Sequence, residues 1–374
     1  MDEFTKQQIF TTHAVAAAGS VAFASSLTHP IDTLKSLLQV AAGSHQKLSF
    51  TQVLDRVRTV SGFSGLYTGF TWSMLGRLPG IGMRFGIYEL LSAFYKDGRE
   101  YDYVYVPEAL LAGMVAGSAE AVVNTPFELL KLRAQLGSSV KRHSSTNVVQ
   151  NVNPAISKLL RGYAPNMKSW NHTISLLSVL PNKNPGMVDA LKGHPWMLTG
   201  SGRVPLASDV RTLANVISLE GWPVLRRGLQ AGITRDSIFG GIFFSTWQFF
   251  HIAMLDWKAS SIDPPPRSVL EIGPVSPLGT SFAAGFSGSV AAAASHCFDT
   301  AKTRSQCIVI PKYIAKERKL LKWKAQGSWV ERVTGISPMD RGVLFRGIWL
   351  RIARSGIASF AIVGSYLFAV DKLV

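Results

Sequence analysis

Cysteine is nearly absent from the chain, acidic residues are scarce, and charge of either sign is thin. Two cysteines in 374 residues, Cys297 and Cys307, are too few for a disulfide framework or an unaided zinc site. They read as reduced packing residues and imply no oxidising compartment. Only 23 Asp and Glu face 39 Lys and Arg, a formal charge of +16. That sign suits nucleic acid, anionic lipid or anionic solutes without choosing among them. Charged residues make up 17% of the chain, apolar residues 47%, and mean hydropathy is +0.17. This balance points away from two or three soluble domains and toward a membrane-embedded protein. The opening MDEFTKQQIF carries two acids and reaches apolar sequence at once, so neither a secretory signal nor an Arg-rich transit peptide is expected. Any targeting information should be internal. No Ser/His/Asp set, Walker loop or metal-ligand spacing stands out, so neither enzymatic chemistry nor a metal is expected.

What is present is a repeat. HPIDTLKSLLQ (29–39) is answered by TPFELLKLRAQ (125–135) and by HCFDTAKTRSQ (296–306). Each copy reads proline or a substitute, one residue, a carboxylate, two residues, lysine, three residues, glutamine, and each follows a run of Ala, Gly and Ser. One acid three residues before a lysine is an ordinary helix ion pair, but three copies spelled alike are a repeat. Around each copy recurs a unit: the motif helix, a polar segment, a glycine-terminated approach and a second apolar helix. The pattern predicts six helices at roughly 8–38, 70–95, 106–136, 229–255, 277–307 and 347–370, each able to cross about 30 Å of hydrocarbon. The units run 1–100, 101–260 and 261–374, and an even helix count puts both termini on one side. Gly113 with Gly117, and Gly285 with Gly288, would let helices approach closely.

Sidedness follows from the loops. Connections within units (40–66, 137–227, 308–346) hold 23 lysines and arginines, and the remaining loops and tails hold 6, so the termini face the less positive side. The basic run PKYIAKERKLLKWK (311–324), with Tyr313 and Trp323, has an RNA-binding look. Beside a membrane it fits anionic headgroups or solvent better, so no nucleic-acid partner is expected. Pro30 to Pro126 spans 96 residues and Pro126 to Cys297 spans 171. The excess falls at about 138–205, a Ser-, Asn-, Gly- and Pro-rich stretch that reads as an irregular insertion on the basic side, with short helices at SKLLRGYAPNMKSW and SLLSVLP.

Three two-helix repeats, each odd helix ending in Pro-x-Asp/Glu-x-x-Lys, resemble the mitochondrial carrier family of solute transporters. The family's second motif half appears as EGWPVLRRG (220–228) and FRG (345–347), and weakly as SGFSGLYTG (61–69). The resemblance implies an all-α membrane protein with six transmembrane helices in three pseudo-symmetric repeats around a central cavity, with short matrix-side helices. It also implies a multi-pass monomer of the mitochondrial inner membrane with both termini in the intermembrane space, a plastid or peroxisomal address remaining open. Gly69, Gly228 and Gly347 would begin the even helices, whose free amides cradle cardiolipin phosphates as a structural lipid. Pro30 and Pro126 would kink the odd helices. On the matrix side, Asp32 with Lys131, Glu128 with Lys302 and Asp299 with Lys35 would form a gate, with Gln39, Gln135 and Gln306 as braces across those pairs. Two departures matter. Cys297 replaces the third proline, so the fifth helix either kinks less or bends by another device. On the cytosolic side Tyr88 and Glu89 are followed by Ser92 where the family has a cation, and Trp247, Gln248 and His251, then Ser365, Tyr366 and Ala369, fill the matching places. That gate is expected to be weak.

Counting from the glycines puts the family's substrate-contact positions at Gly76, at the pair Arg235 and Asp236, and at Arg354, with Arg84 and Arg351 one or two turns away. Arginines in apolar helices demand anions, and their planar forks suit carboxylates. RFGIYE (84–89) is similar to citrate carriers, and AEAVVNTPFELLK (119–131), Glu120 included, to tricarboxylate and oxodicarboxylate carriers. The Arg-Asp pair is usual in amino-acid carriers. The implied function is alternating-access transport of a small di- or tricarboxylate or oxodicarboxylate. The alternatives are an acidic amino-acid carrier and, from another class, a non-transporting membrane adaptor or receptor acting through residues 137–205. His29 and His296, equivalent positions before the motif, read as symmetric packing residues.

Overall fold

The computed structural model describes residues 3–40, 49–97, 104–139, 210–262, 272–310 and 338–373. The insertion at 138–205, apart from its first two residues, and the basic run 311–324 lie outside the described residues. Within them the chain is helical: α1 (Glu3–Val40), α2 (Phe50–Ser61), α3 (Phe70–Lys96), α4 (Val106–Leu136), α5 (Leu213–Glu220), α6 (Leu229–Ser260), α7 (Pro277–Ala294), α8 (His296–Cys307) and α9 (Ile348–Leu373). Tight turns at Phe63–Tyr67, Trp222–Arg226 and Pro338–Phe345 lead into α3, α6 and α9. Four stretches are long and apolar enough to cross a membrane on those grounds alone: Phe10–Val40, Val106–Leu136, Trp222–Ser260 and Gly342–Lys372. α3, with Arg77 and Arg84, and α7, built largely of Ala, Gly and Ser, join them through packing.

The long helices form a ring in which α3 packs on α4, α4 on α6, α6 on α7, α7 on α9, and α9 on α1. Polarity runs inside out. Asp32, Lys35, Gln39 and Lys302 are buried, whereas Leu90, Phe94, Trp257 (81% exposed) and Trp349 (80%) point outward. In water such a surface would aggregate, but against hydrocarbon it is the stable choice, and the polar groups must then find partners within the bundle.

Glycine sets the spacing of α4 against α6. A Cβ on Gly117 would fall on the Asp236 carbonyl, and one on Gly113 on the Gly240 carbonyl. Nine residues before Pro126, Cys297 and Pro30 stand Gly117, Gly288 and Val21 respectively. The first repeat, with a buried valine in that register, is also the one whose two long helices, α1 and α3, make the sparsest contact of the ring.

The odd helices bend in different ways. α1 and α4 run unbroken through Pro30 and Pro126. The third, which lacks the proline, is interrupted at Ser295 (φ −93°, ψ 8°) and so divided into α7 and α8. Cys297 therefore does not leave a straighter helix. Ser295 Oγ donates to the Ala291 carbonyl at 2.8 Å, a back-bond that bends helices, and accepts from Arg351 Nη2 at 2.6 Å. Each motif helix of repeats 1 and 3 is tied to its own turn: Thr33 Oγ1 donates to the Leu66 carbonyl at 2.7 Å and Thr300 Oγ1 to Leu344 at 3.0 Å. His29 and His296 hydrogen-bond the Thr68 and Arg346 carbonyls, one residue before Gly69 and Gly347. Their equivalent placement is structural.

The corners beside the motif helices are filled unlike one another. Two residues past the motif lysine, repeat 2 has Arg133, fully buried, donating to Glu220 Oε2 at 2.9 Å and to the Gln306 and Ile308 carbonyls of repeat 3. Arg227 and the Ile310 amide also bond Glu220. Repeat 1 has Leu37 and Ser61 at the same two positions, and Leu37 packs with Val53, Val57 and Leu66 of its own repeat and with Leu132 and Leu136 of α4. An apolar corner thus replaces an ionic one, both partners having changed together.

Two stability measurements by thermal unfolding in detergent check these assignments. Gly117→Ala should lose about 1–3 kcal/mol by overpacking, whereas Gly19→Ala, whose new methyl meets nothing within 4 Å, should gain about 0.5–1 kcal/mol. Arg133→Leu should cost about 1–3 kcal/mol, because Glu220 loses one arginine but keeps Arg227 and the Ile310 amide. Glu220→Ser with Arg133 retained deprives both arginines of their carboxylate and should cost about 3–5 kcal/mol, and the double variant should lose less than the sum. Additive losses in the double variant would contradict the ionic account of this corner.

Candidate functional site

On a helix, residues i, i+3 and i+7 share a face, so Asp32, Lys35 and Gln39 point together toward the axis of the ring, as do their counterparts. The structure joins them across repeats. Lys35 Nζ lies 2.7 Å from Asp299 Oδ2, Lys131 pairs with Asp32, and Lys302 pairs with Glu128. Asp32 is 2% exposed and Lys302 1%. No motif carboxylate is paired with the lysine of its own helix, because the i+3 lysine of each motif reaches across to another repeat.

The glutamines divide. Gln39 Nε2 donates to Asp299 Oδ2 and Thr300 Oγ1, both at 3.1 Å, and so spans the Lys35–Asp299 pair. Gln135 instead donates to Thr33 Oγ1 at 3.0 Å, beside Asp32 but not on it. Gln306 reaches the Arg227 and Thr125 carbonyls. One of the three expected braces therefore touches an ion pair, and the other two hold adjacent backbone and hydroxyl groups.

The arginines expected to contact solute reach the same carboxylates. Arg354 Nε is 3.0 Å from Asp32 Oδ1, and Arg351 Nη1 is 3.0 Å from Asp299 Oδ1. Arg235 donates to Asp236 through Nε and Nη2 (2.7 and 2.8 Å), to Glu128 at 2.9 Å and to Asp299 at 3.2 Å. Arg351 is buried and does not reach toward the membrane surface. Four carboxylates (Asp32, Glu128, Asp236, Asp299) thus meet six cations (the three motif lysines with Arg235, Arg351 and Arg354) in one network. Arg84 stands apart, paired with Glu120 and 4.8 Å from the Phe239 ring centroid.

A cavity of about 70 Å³ remains among these groups, walled by Trp72, Arg77, Asn124, Glu128, Arg235 and Arg354, among others. It has room for a few waters. Gly76 is not on this wall. A side chain there would strike Asn124 and Phe127, so Gly76 is a packing position, and its neighbour Arg77 faces the cavity. Sequence counting passed over Arg77, as it did the Arg133–Glu220–Arg227 cluster. The signal for the cluster was the joint change to Leu37 and Ser61 in repeat 1.

Each even helix opens on a left-handed glycine: Gly69 (φ 83°), Gly228 (φ 81°) and Gly347 (φ 76°). These positions also abut the next repeat. A Cβ would lie 2.9 Å from the Lys131 carbonyl at Gly69, 2.9 Å from Ser305 Oγ at Gly228, and 3.7 Å from Lys35 Cγ at Gly347. At the opposite end of the bundle, Tyr88 stacks on Phe244 with ring centroids 3.7 Å apart, and Tyr366 hydrogen-bonds His13 at 2.9 Å. Stacking and a hydrogen bond there tie α3 to α6 and α9 to α1.

The family model described as "Mitochondrial carrier protein" matches residues 6–99 and 103–168. A probable mitochondrial 2-oxoglutarate/malate carrier protein of Dictyostelium discoideum is 28% identical over 155 residues, 38% of this chain and 48% of that protein. Mitochondrial thiamine pyrophosphate carrier 1 of Lodderomyces elongisporus is 31% identical over 159 residues, 41% of this chain and 50% of the relative. A human mitochondrial adenyl nucleotide antiporter is 26% identical over 172 residues, 44% of this chain and 36% of its own length. The chain thus spans half or less of the length of these relatives. Beyond the matched residues, the third unit repeats the geometry of the first two, with its motif lysine on the next carboxylate and its glycine-led even helix. Residues 6–99 and 103–168, under half of the chain, are thus similar to mitochondrial carrier proteins.

Proposed function

We propose that this protein is a transmembrane solute carrier that moves a small di- or tricarboxylate by alternating access, with the three lysine–carboxylate pairs as its matrix-side gate. The carrying observation is that Arg235, Arg351 and Arg354 are held by the carboxylates of the ring. Removing one partner from a buried pair costs about 3–5 kcal/mol, so the ring opens cheaply only if each arginine receives a replacement oxyanion. A solute carboxylate supplies one of the same shape and charge, and bidentate Arg–carboxylate geometry suits it. Recognition and opening then become one exchange of partners.

The relative named for 2-oxoglutarate and malate, both dicarboxylates, agrees with this reading. Those named for thiamine pyrophosphate and adenyl nucleotides carry phosphate oxyanions instead, and the forked arginines are what favour carboxylates here. An acidic amino acid is the second reading, because Asp236 would suit an ammonium group. Its oxygens are engaged by Arg235, which keeps the plain carboxylate reading ahead. A non-transporting adaptor is disfavoured by a complete ring of buried pairs. We also assign the protein to the mitochondrial inner membrane as a monomer, with the termini on the intermembrane-space side and anionic lipid headgroups such as cardiolipin seated at the glycine-led N-termini of α3, α6 and α9, as free helix amides favour.

Reconstitution into liposomes with labelled dicarboxylates, tricarboxylates, acidic amino acids and organic phosphates tests the proposal. Wild-type protein should exchange a di- or tricarboxylate, and Arg354→Gln or Arg235→Gln should slow that exchange by about 100-fold, the loss of a charge-assisted bidentate contact of roughly 3 kcal/mol. Folded protein that takes up none of the panel would overturn it.

A further inference from the structure

We propose that Arg77 is the first repeat's anchor for the solute and that the solute it seats carries at least two carboxylates; this rests on the carrier reading above. Arg77 lies on α3 and lines the same cavity as Arg235 and Arg354. Those two, with Arg351 and Arg84, are each neutralised by a carboxylate. Arg77 is not. Its Nη1 donates to Ser25 Oγ on α1 at 2.9 Å, and among the described residues no carboxylate pairs with it. A hydroxyl satisfies one of five guanidinium N–H groups and none of the charge. An uncompensated cation at membrane depth is costly, and in proteins such a group marks a ligand or ion site.

Its place in the bundle explains why the neighbouring position does not serve. Gly76 is pressed against Asn124 and Phe127 and has no room for a side chain. One residue further on, about 100° around the helix, Arg77 clears that contact and enters the cavity. The three repeats then contribute one cavity-lining arginine each: Arg77, Arg235 and Arg354. Two are occupied by ring carboxylates while the gate is shut, so the third is the cation an entering anion meets first. With Arg77 added, the network holds seven cations against four carboxylates. A monocarboxylate would satisfy Arg77 and leave the ring undisturbed. A second carboxylate on the same molecule is what reaches a ring arginine and displaces its partner.

The full chain in liposomes, with succinate, citrate and acetate as probes, separates the outcomes. Arg77→Gln should raise KM for succinate or citrate by about tenfold or more, with a smaller change in maximal rate, and Arg77→Lys should recover part of the loss because it keeps the charge without the fork. Ser25→Ala removes the hydrogen bond but keeps the guanidinium, so its KM should move less than about threefold. Equal losses in Ser25→Ala and Arg77→Gln would make Arg77 a structural tie and overturn the anchor. So would an Arg77→Gln KM within about twofold of wild type, or acetate transported as well as succinate. Should Arg77→Gln fail to fold, Arg77→Lys decides: a KM raised about threefold or more supports the anchor, and an unchanged KM overturns it. Wild-type protein that moves no polycarboxylate overturns the carrier reading and this inference together, whereas wild-type transport whose KM is unchanged in Arg77→Gln overturns the inference alone.

Discussion

Asp32, Glu128 and Asp299 sit where neither water nor lipid supplies a counter-ion, and the rest of the bundle is arranged to provide one. Each takes a lysine from another repeat and an arginine from an even helix. Because no motif lysine pairs within its own helix, the ring is complete only when all three repeats are in place. A buried pair gains little over well-packed apolar groups and loses heavily when one partner is removed. Such a contact is poor as a fastener and good as a switch, since it is indifferent between two equivalent partners and intolerant of none.

Around this symmetric ring the repeats are unequal. Repeat 2 closes its corner with Arg133, Glu220 and Arg227, and repeat 1 with Leu37 over Val53 and Val57. Glycines at 117 and 288 let α4 meet α6 and α7 meet α9, but Val21 occupies that register in α1. Two odd helices carry prolines, and the third breaks at Ser295 under a serine hydroxyl and Arg351. A small polycarboxylate has no threefold axis, so a cavity that binds it in one orientation needs walls that differ. The inequality of Arg77, Arg235 and Arg354 serves that need.

The helix order was legible in the repeat itself, and the ring pairs in the resemblance that the repeat carries. A motif spaced i, i+3 puts both charges on one face, and the resemblance implied which repeat each lysine reaches. Even the helix limits lie within a few residues, apart from α1, which begins at Glu3, and α6, which extends to Ser260. Legibility failed where an outcome depended on azimuth or on another helix. Counting from Gly69 gave the right depth for a contact on α3 but chose Gly76, which faces α4, over Arg77, which faces the cavity. The three glutamines are equivalent in spacing, yet they meet different partners because the neighbouring turns differ. The break at Ser295 rests partly on Arg351, more than fifty residues away, and no local pattern announces it.

The division of labour between the two cations completes the logic. Lysine is a compact point charge that any carboxylate orientation satisfies, whereas arginine offers a rigid fork with several directions of approach. Here the lysines sit on the odd helices and link one repeat to another, and the arginines sit on the even helices and reach the same carboxylates from the cavity side. Arg235 is the extreme case: one guanidinium bonds Asp236, Glu128 and Asp299, and so touches two of the three ring pairs at once. An oxyanion that captured this fork would loosen Glu128 and Asp299 together, leaving their lysines as weakly directed contacts that a small helix displacement can part. Selection by arginines and closure by lysines are therefore linked through shared carboxylates, and the linkage is tightest in the second repeat.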